Sequence, residues 1–178
     1  MKKLILCMAI ASCFLAACNN KAAVTTGGSD STAAYLKMIK QVALSSDSAY
    51  IKHDVAAAIK DFAPGYIEYG NGGGKSTTNI DTIKANTKNF FDAFPDFKGE
   101  NLQAIAEDST VIITGTWSGT FKNEFMKMKP TNKVFKVADA DIFTFNKAGK
   151  ITSHRSIQSD LTFMSQLGVT MPSAPKKK

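Results

Sequence analysis

The chain has 178 residues, of which 44% are hydrophobic and 21% charged, as is typical of one globular domain with a buried core. Its formal net charge of +7 is concentrated at the ends, at Lys2 and Lys3 and in the lysines of residues 176–178. The remainder is nearly neutral, which excludes the concentrated basic stripe that recognises phosphates. We therefore expect no nucleic-acid partner.

Residues 1–17 are predicted to be a lipoprotein signal peptide. Lys2 and Lys3 precede an apolar run from Leu4 to Leu15, and small residues then lead into Cys18. The Leu-Ala-Ala-Cys sequence resembles a bacterial lipobox, which implies cleavage before Cys18 and attachment of a diacylglyceryl group to its sulfur. We expect an exported bacterial lipoprotein, anchored to a membrane on its periplasmic or cell-surface side. The alternative is an ordinary signal peptide with an incidental cysteine.

Cysteine and histidine usage argues against a metal site. Cys7 and Cys13 lie in the segment that cleavage removes, so Cys18 would be the one cysteine of the mature chain. The histidines, His53 and His154, lie on different predicted elements without an acidic pair at ligand spacing. We expect no metal centre.

Three helices are predicted in the first half of the domain, which we place at residues 34–170 between a flexible tether (18–33) and a basic tail (171–178). Apolar residues recur at helical spacing from Ala34 to Leu44. Asp47 or Ser48 is expected to cap a second helix that ends at Pro64 and Gly65, and a third spans about Asp81 to Phe94. A short strand, Tyr66 to Tyr69, precedes the glycine-rich loop at 70–74.

After Pro95 the period changes from helical to alternating, which indicates a sheet. The predicted strands are Phe97–Glu107, Thr110–Phe121 and Val134–Phe145, followed by a last strand from Ile151. Helices followed by an antiparallel meander predict an α+β domain, with a curved, mostly antiparallel sheet over the helices.

The last strand leads into a closing helix, and its alternation decides which side chains face the interior. If Ile151 and Ile157 mark the inner face, then Arg155 and Ser159 also point inward and His154 points outward. Asp139 and Asp141 share a face with apolar neighbours in the preceding strand, so at least one is a candidate inward carboxylate. Arg155 is its expected partner.

Several short motifs occur in order along the chain: Phe94-Pro95-Asp96, Gly119-Thr120, Asp141-Ile142-Phe143, Gly149-Lys150-Ile151 and Gln166-Leu167-Gly168. Their order and spacing resemble those of the SnoaL-like polyketide cyclases of the NTF2-like superfamily, over about residues 34–168. The resemblance implies a cone-shaped α+β fold around a pocket open at one end, often dimerising through its sheet. The best-known members close a ring without metal or cofactor, with an aspartate as general acid/base.

The chain departs from the family at the positions that carry this chemistry. Ser159 stands where the family usually has the aspartate, and Phe121 where many members have histidine. Asp160 follows by one place, and a shift of one residue reverses the facing of a strand residue. The candidates for acid/base catalysis are therefore Asp139, Asp141, His154 and Asp160.

We expect a lipid-anchored domain that binds a small, largely apolar molecule, with Arg155 as polar anchor for a carboxylate or hydroxyl and no cofactor. Two alternatives stay open: a cofactor-independent acid/base enzyme, such as a cyclase, isomerase or hydrolase, and a homodimeric interaction domain without ligand. The predicted pocket residues are Tyr69, Trp117, Phe121, Phe143, Arg155 and Ser159. The alternative for the four aromatic residues is that they fill the core.

Overall fold

The computed structural model describes residues 27–71 and 75–169. The signal segment, Cys18, the tail at 171–178 and part of the glycine-rich loop lie outside these ranges. Among the helices described, none combines the length and apolar character needed to cross a membrane. The elements in chain order are α1 (Gly27–Ile51), α2 (Val55–Ile59), β1 (Phe62–Glu68), α3 (Ile80–Ala93), β2 (Lys98–Glu107), β3 (Thr110–Thr120), β4 (Val134–Phe145), β5 (Ile151–Ser156) and α4 (Asp160–Gln166).

One five-stranded sheet has the strand order β1-β5-β4-β3-β2. The pairs from β5 to β2 are antiparallel, and β1 runs parallel to β5. The inner face of the sheet packs with the helices around an aromatic core that includes Phe94, Trp117 and Phe135. The predicted α+β class is confirmed, and the three long strands lie within one residue of their predicted bounds.

The first helix differs from the prediction, because one helix of 25 residues replaces the expected break at Asp47 or Ser48. Asp47 follows Ile39 and Ala43 at intervals of four residues, so all three lie on the buried side of α1. The chain leaves the helix after Ile51, and Asp54 caps α2 by accepting a hydrogen bond from the backbone N–H of Ala57. The helix also begins at Gly27, inside the predicted tether.

The predicted helix end at Pro64 and Gly65 is wrong, because both residues lie inside β1. The pairing of β1 with β5 shifts between Phe62 and Ile67, and Gly65 has a φ of 76° within that irregular stretch. Beyond it the register is regular again, with Glu68 beside His154 on the neighbouring strand.

Strand β5 contains an extra residue that overturns the predicted facing of its side chains. Phe145 pairs with Ile151, but the adjacent Thr144 pairs with Ser153, so Thr152 has no counterpart on β4. Such a bulge reverses the alternation beyond it. Ile151 and His154 consequently both face the interior.

Candidate functional site

His154 lies between two carboxylates in the interior of the fold. Its Nδ1 is 3.1 Å from each carboxylate oxygen of Glu68, and its Nε2 is 3.0 Å from Oδ1 of Asp141. Burial lowers the pKa of His154, but the hydrogen bonds to Asp141 and Glu68 and their negative charges outweigh it and raise the pKa to about 10. At neutral pH the ring is therefore an imidazolium that donates both N–H groups to carboxylates.

The register of the sheet brings this trio together. Glu68 of β1 and Phe143 of β4 are the direct neighbours of His154 on either side, and Asp141 is the next inward residue along β4. The His154 ring leans on Phe143 with ring centroids 4.7 Å apart. Glu68 also accepts hydrogen bonds from the Tyr66 hydroxyl, at 2.6 Å, and from the backbone N–H of Gly70, at 2.8 Å. Burial raises the pKa of Glu68, but these donors and His154 produce a net decrease.

Asp47 brings a further carboxyl group to this region from α1. Its side chain is buried, with the residue only 6% exposed, and its Oδ2 atom has no hydrogen-bond partner among the described residues. Burial and repulsion from Asp141 raise the pKa of Asp47 to about 7, against the attraction of His154. Asp47 is thus a buried carboxyl that changes its charge near neutral pH.

Asp139 completes what we call the acidic cluster, defined as Asp47, Glu68, Asp139 and Asp141 around His154. Asp139 accepts hydrogen bonds from the Ser156 hydroxyl, at 2.7 Å, and from the backbone N–H groups of Ala140 and Ile157. Burial raises its pKa in spite of these bonds. With His154 as its cation, the cluster keeps a net negative charge when its carboxyl groups are ionised.

Two tyrosine hydroxyl groups contribute neutral polar atoms at the edge of the cluster. Burial is the main cause that raises the pKa of both Tyr50 and Tyr66, followed by repulsion from the nearby carboxylates. Both therefore stay protonated at physiological pH. The Tyr50 ring packs edge-on against Phe91, with ring centroids 4.7 Å apart.

Arg155 does not reach the interior, so its predicted pairing with Asp139 or Asp141 is wrong. The bulge at Thr152 turns Arg155 outward, where its guanidinium lies 4.7 Å from the centre of the half-buried Tyr69 ring. The outward facing predicted for His154 is wrong for the same reason. His154, which was expected to face outward, is the interior cation, and Arg155, which was expected to face inward, is exposed.

Ser159 and Asp160 lie beyond the end of β5 and belong to α4. Ser159 is the N-cap residue, with its side chain accepting a hydrogen bond from the backbone N–H of Thr162. Asp160 is exposed and accepts a hydrogen bond from the Asn71 side chain. Neither side chain joins the acidic cluster, so the predicted inward facing of Ser159 is wrong.

Trp117, Phe121 and Phe143 are buried in the aromatic core, as their alternation predicts. Whether any of them contacts a ligand stays a prediction. The sequence interpretation did not include Asp47 or Glu68 among the site residues. Asp47 continues the helical spacing of Ile39 and Ala43, which was the available signal for an inward carboxylate.

A groove of about 1090 Å³ lies on the surface between the α1–α2 turn and α3. Its charged side chains include Lys84, which lies 3.9 Å from Asp81, and Lys88, which lies 2.6 Å from Asp92. In each of these exposed ion pairs the two charges neutralise each other, and such pairs contribute little to the free energy of folding. The acidic cluster is therefore the better candidate site.

The facing of β5 can be tested with two adjacent substitutions. His154→Ala leaves Glu68 and Asp141 without their shared cation and should lower the free energy of unfolding at pH 7 by about 3–5 kcal/mol. The raised pKa of His154 means that its stabilisation is present below pH 6.5 and is lost as the pH rises through about 10. Arg155→Ala removes an exposed cation and should cost less than about 1 kcal/mol. Urea unfolding measures both, and an equal loss from the two variants would contradict the assigned facing.

Asp47→Asn should change the pH dependence of stability. The folded-state pKa of Asp47 lies above its unfolded value, so ionisation in the folded state costs free energy as the pH rises from 4 to about 7. Above pH 7 the variant should be more stable than the wild type by on the order of 4 kcal/mol, and below pH 4 the two should converge. Asp108→Asn, at an exposed turn with φ 49°, is the matched control and should show no such trend. Unfolding curves between pH 4 and pH 8 that stay parallel for Asp47→Asn and the wild type would count against the buried charge.

Comparisons with known proteins agree with the architecture. AclR, a proposed hydroxylase from Streptomyces galilaeus, is 24% identical, with 79% of this chain and 87% of that chain covered and a TM-score of 0.65. A proposed polyketide cyclase from Xanthomonas campestris pv. campestris is 12% identical, with 75% of this chain and 98% of that chain covered and a TM-score of 0.68. A phenazine biosynthesis-related protein from Pseudomonas aeruginosa is 13% identical, with 85% and 97% covered and a TM-score of 0.62. At these identities the likeness concerns the fold.

No curated protein matches the sequence. The family model described as SnoaL-like polyketide cyclase matches residues 40–167, which include all five strands and the whole acidic cluster. The chain belongs to the SnoaL-like polyketide cyclase family.

Proposed function

We propose that this protein binds a small molecule, and that the ligand is anchored by the acidic cluster rather than by Arg155. The observation that carries the proposal is the buried, unpartnered Oδ2 atom of Asp47. A buried acceptor without a donor costs about 1–3 kcal/mol. A ligand that supplies the missing donor recovers this free energy on binding, which makes the position a natural anchor.

Three side chains of the cluster are partly exposed to solvent. The side chains of His154, Glu68 and Asp141 are 20%, 23% and 13% exposed, although all three belong to the interior face of the sheet. Asp47 lies deeper, among the buried residues of α1. A ligand that enters the cluster would therefore meet Glu68, His154 and Asp141 first and reach Asp47 last.

The electrostatics favour binding over the ring closure for which the family is named. His154 is protonated with both nitrogens engaged, so it cannot accept a proton as a general base. An aldol-type closure passes through an enolate, whose negative charge the surrounding carboxylates would repel. Among the described residues, Asp47 is the carboxyl group of the cluster with a buried oxygen that accepts no hydrogen bond from the protein. Anchoring a ligand is the role that fits such an oxygen.

A ligand screen tests this function. Compounds are assayed by ligand-observed NMR against the wild type and Asp47→Leu, which removes the acceptor while keeping the position filled. Compounds that bind the wild type should lose about tenfold or more in affinity to Asp47→Leu, because a charge-assisted hydrogen bond is lost. Asp108→Asn should retain wild-type affinities. A library without binders, or binders that Asp47→Leu leaves unaffected, would contradict the proposal.

We also propose that the mature protein is a lipoprotein anchored through Cys18, on the exported side of a bacterial membrane. The support is the Leu-Ala-Ala-Cys sequence after an apolar run. The homodimer expected from the resemblance stays a prediction.

The anchor is tested by expressing the full chain and Cys18→Ser in a bacterium. The wild type should begin at Cys18, carry the added mass of a diacylglyceryl group and sediment with membranes, whereas Cys18→Ser should lack that lipid mass. A full-length protein without added lipid mass would rule the anchor out.

A further inference from the structure

The acidic cluster has more negative than positive groups. Asp47 comes from α1, Glu68 from β1, and Asp139 and Asp141 from β4. Over the described ranges, the ion pairs to these four carboxyl groups come from His154 alone. A group of side chains with such a balance attracts a cation and repels an anion.

The hydrogen bonds identify which acceptor atoms are left for a ligand. Both oxygens of Glu68 and both of Asp139 accept hydrogen bonds from the protein. Asp141 accepts from His154 at Oδ1, and in the part of the chain that the structure describes its Oδ2 accepts from no protein group. Together with the orphaned Oδ2 of Asp47, the cluster offers two carboxylate oxygens that lack donors.

A protonated amine matches these vacant positions. An ammonium group carries three N–H donors and no acceptor, whereas a carboxylate has only acceptors and a hydroxyl has one donor. Tyr50, whose hydroxyl lies within electrostatic range of Asp47 and Asp141, adds a neutral polar group and no positive charge. No lysine or arginine within the described ranges forms an ion pair with the cluster, so the ammonium would meet no competing side chain.

We infer that the ligand of this site is a small molecule with a protonated amine, which donates hydrogen bonds to Oδ2 of Asp47 and to Asp141. The inference rests on the proposed function, since it names the chemical class of the ligand that the acidic cluster anchors. It replaces the sequence-based expectation of a ligand carboxylate or hydroxyl held by Arg155.

Amine binding should depend on the charge of Asp47. The titratable groups that interact with Asp47 are Asp139 and Asp141 on β4, His154 on β5 and Tyr50 on α1. Glu68 and Tyr66 on β1 interact in turn with His154 and Asp141, respectively. An ammonium ion binds the ionised form of Asp47 better, so its affinity should rise as the pH increases through about 7.

The test uses three probes that share a phenyl ring and a two-carbon linker: 2-phenylethylamine, 2-phenylethanol and 3-phenylpropionate. Their dissociation constants are measured by NMR titration at pH 8 with the wild type, Asp47→Asn and Asp108→Asn. The amine should bind the wild type about tenfold or more tightly than the alcohol, and the carboxylate should bind most weakly. Asp47→Asn keeps an acceptor oxygen but removes the charge, so it should weaken the amine about tenfold and leave the alcohol within about threefold.

The outcomes separate the ligand class from the proposed function. One outcome is that the alcohol or the carboxylate binds the wild type as tightly as the amine, or more tightly, and loses affinity in Asp47→Asn. That result would contradict the amine as the ligand class and would still support the acidic cluster as the binding site. Amine affinity unchanged in Asp47→Asn, or no binding of the amine at all, would also overturn the inference. The function itself fails only if the library screen with Asp47→Leu fails as well.

Discussion

The imidazolium of His154, held between Glu68 and Asp141, is the interaction on which the interior of this fold depends. It joins three neighbouring strands, β1, β5 and β4, through side chains on their inner face. Removing two carboxylates from water is costly, and one cation with hydrogen bonds to both offsets much of that cost. Burial is the main cause that raises the pKa of Asp47 to about 7, repulsion from Asp141 adds to it, and the attraction of His154 does not outweigh them.

The position of His154 depends on one extra residue. Without the bulge at Thr152, the alternation from Ile151 would place Arg155 on the inner face and His154 outside. An interior arginine would favour a ligand with a negative group. The bulge instead places His154 in the interior, where both of its N–H groups are hydrogen-bonded to carboxylates. The net charge of the acidic cluster is then negative. A local change in strand pairing thus changes the charge in the interior of the fold.

Much of the fold could be predicted from the sequence, because β3, β4 and α3 are long enough for their periodicity to be unambiguous. The site could not be predicted, because a bulge cannot be detected from the alternation of residues in a strand as short as Ile151–Ser156. Asp47 was misread for a different reason. Aspartate after two serines is typical of a helix N-cap, and only packing decides that α1 continues through it. Glu68 was missed because its strand is interrupted by Pro64 and Gly65 and its register becomes regular only beyond them.

The interior of this family member holds a protonated histidine that resists proton transfer, and we propose that it favours a positively charged group. Both statements depend on the protonation state of His154, which NMR of the ring nitrogens as a function of pH measures directly. The account predicts that both nitrogens stay protonated from pH 5 to pH 8 and that the midpoint of titration lies at about 10. A midpoint near the ordinary histidine value of about 6.5 would show that Glu68 and Asp141 do not hold an imidazolium, and would contradict the account.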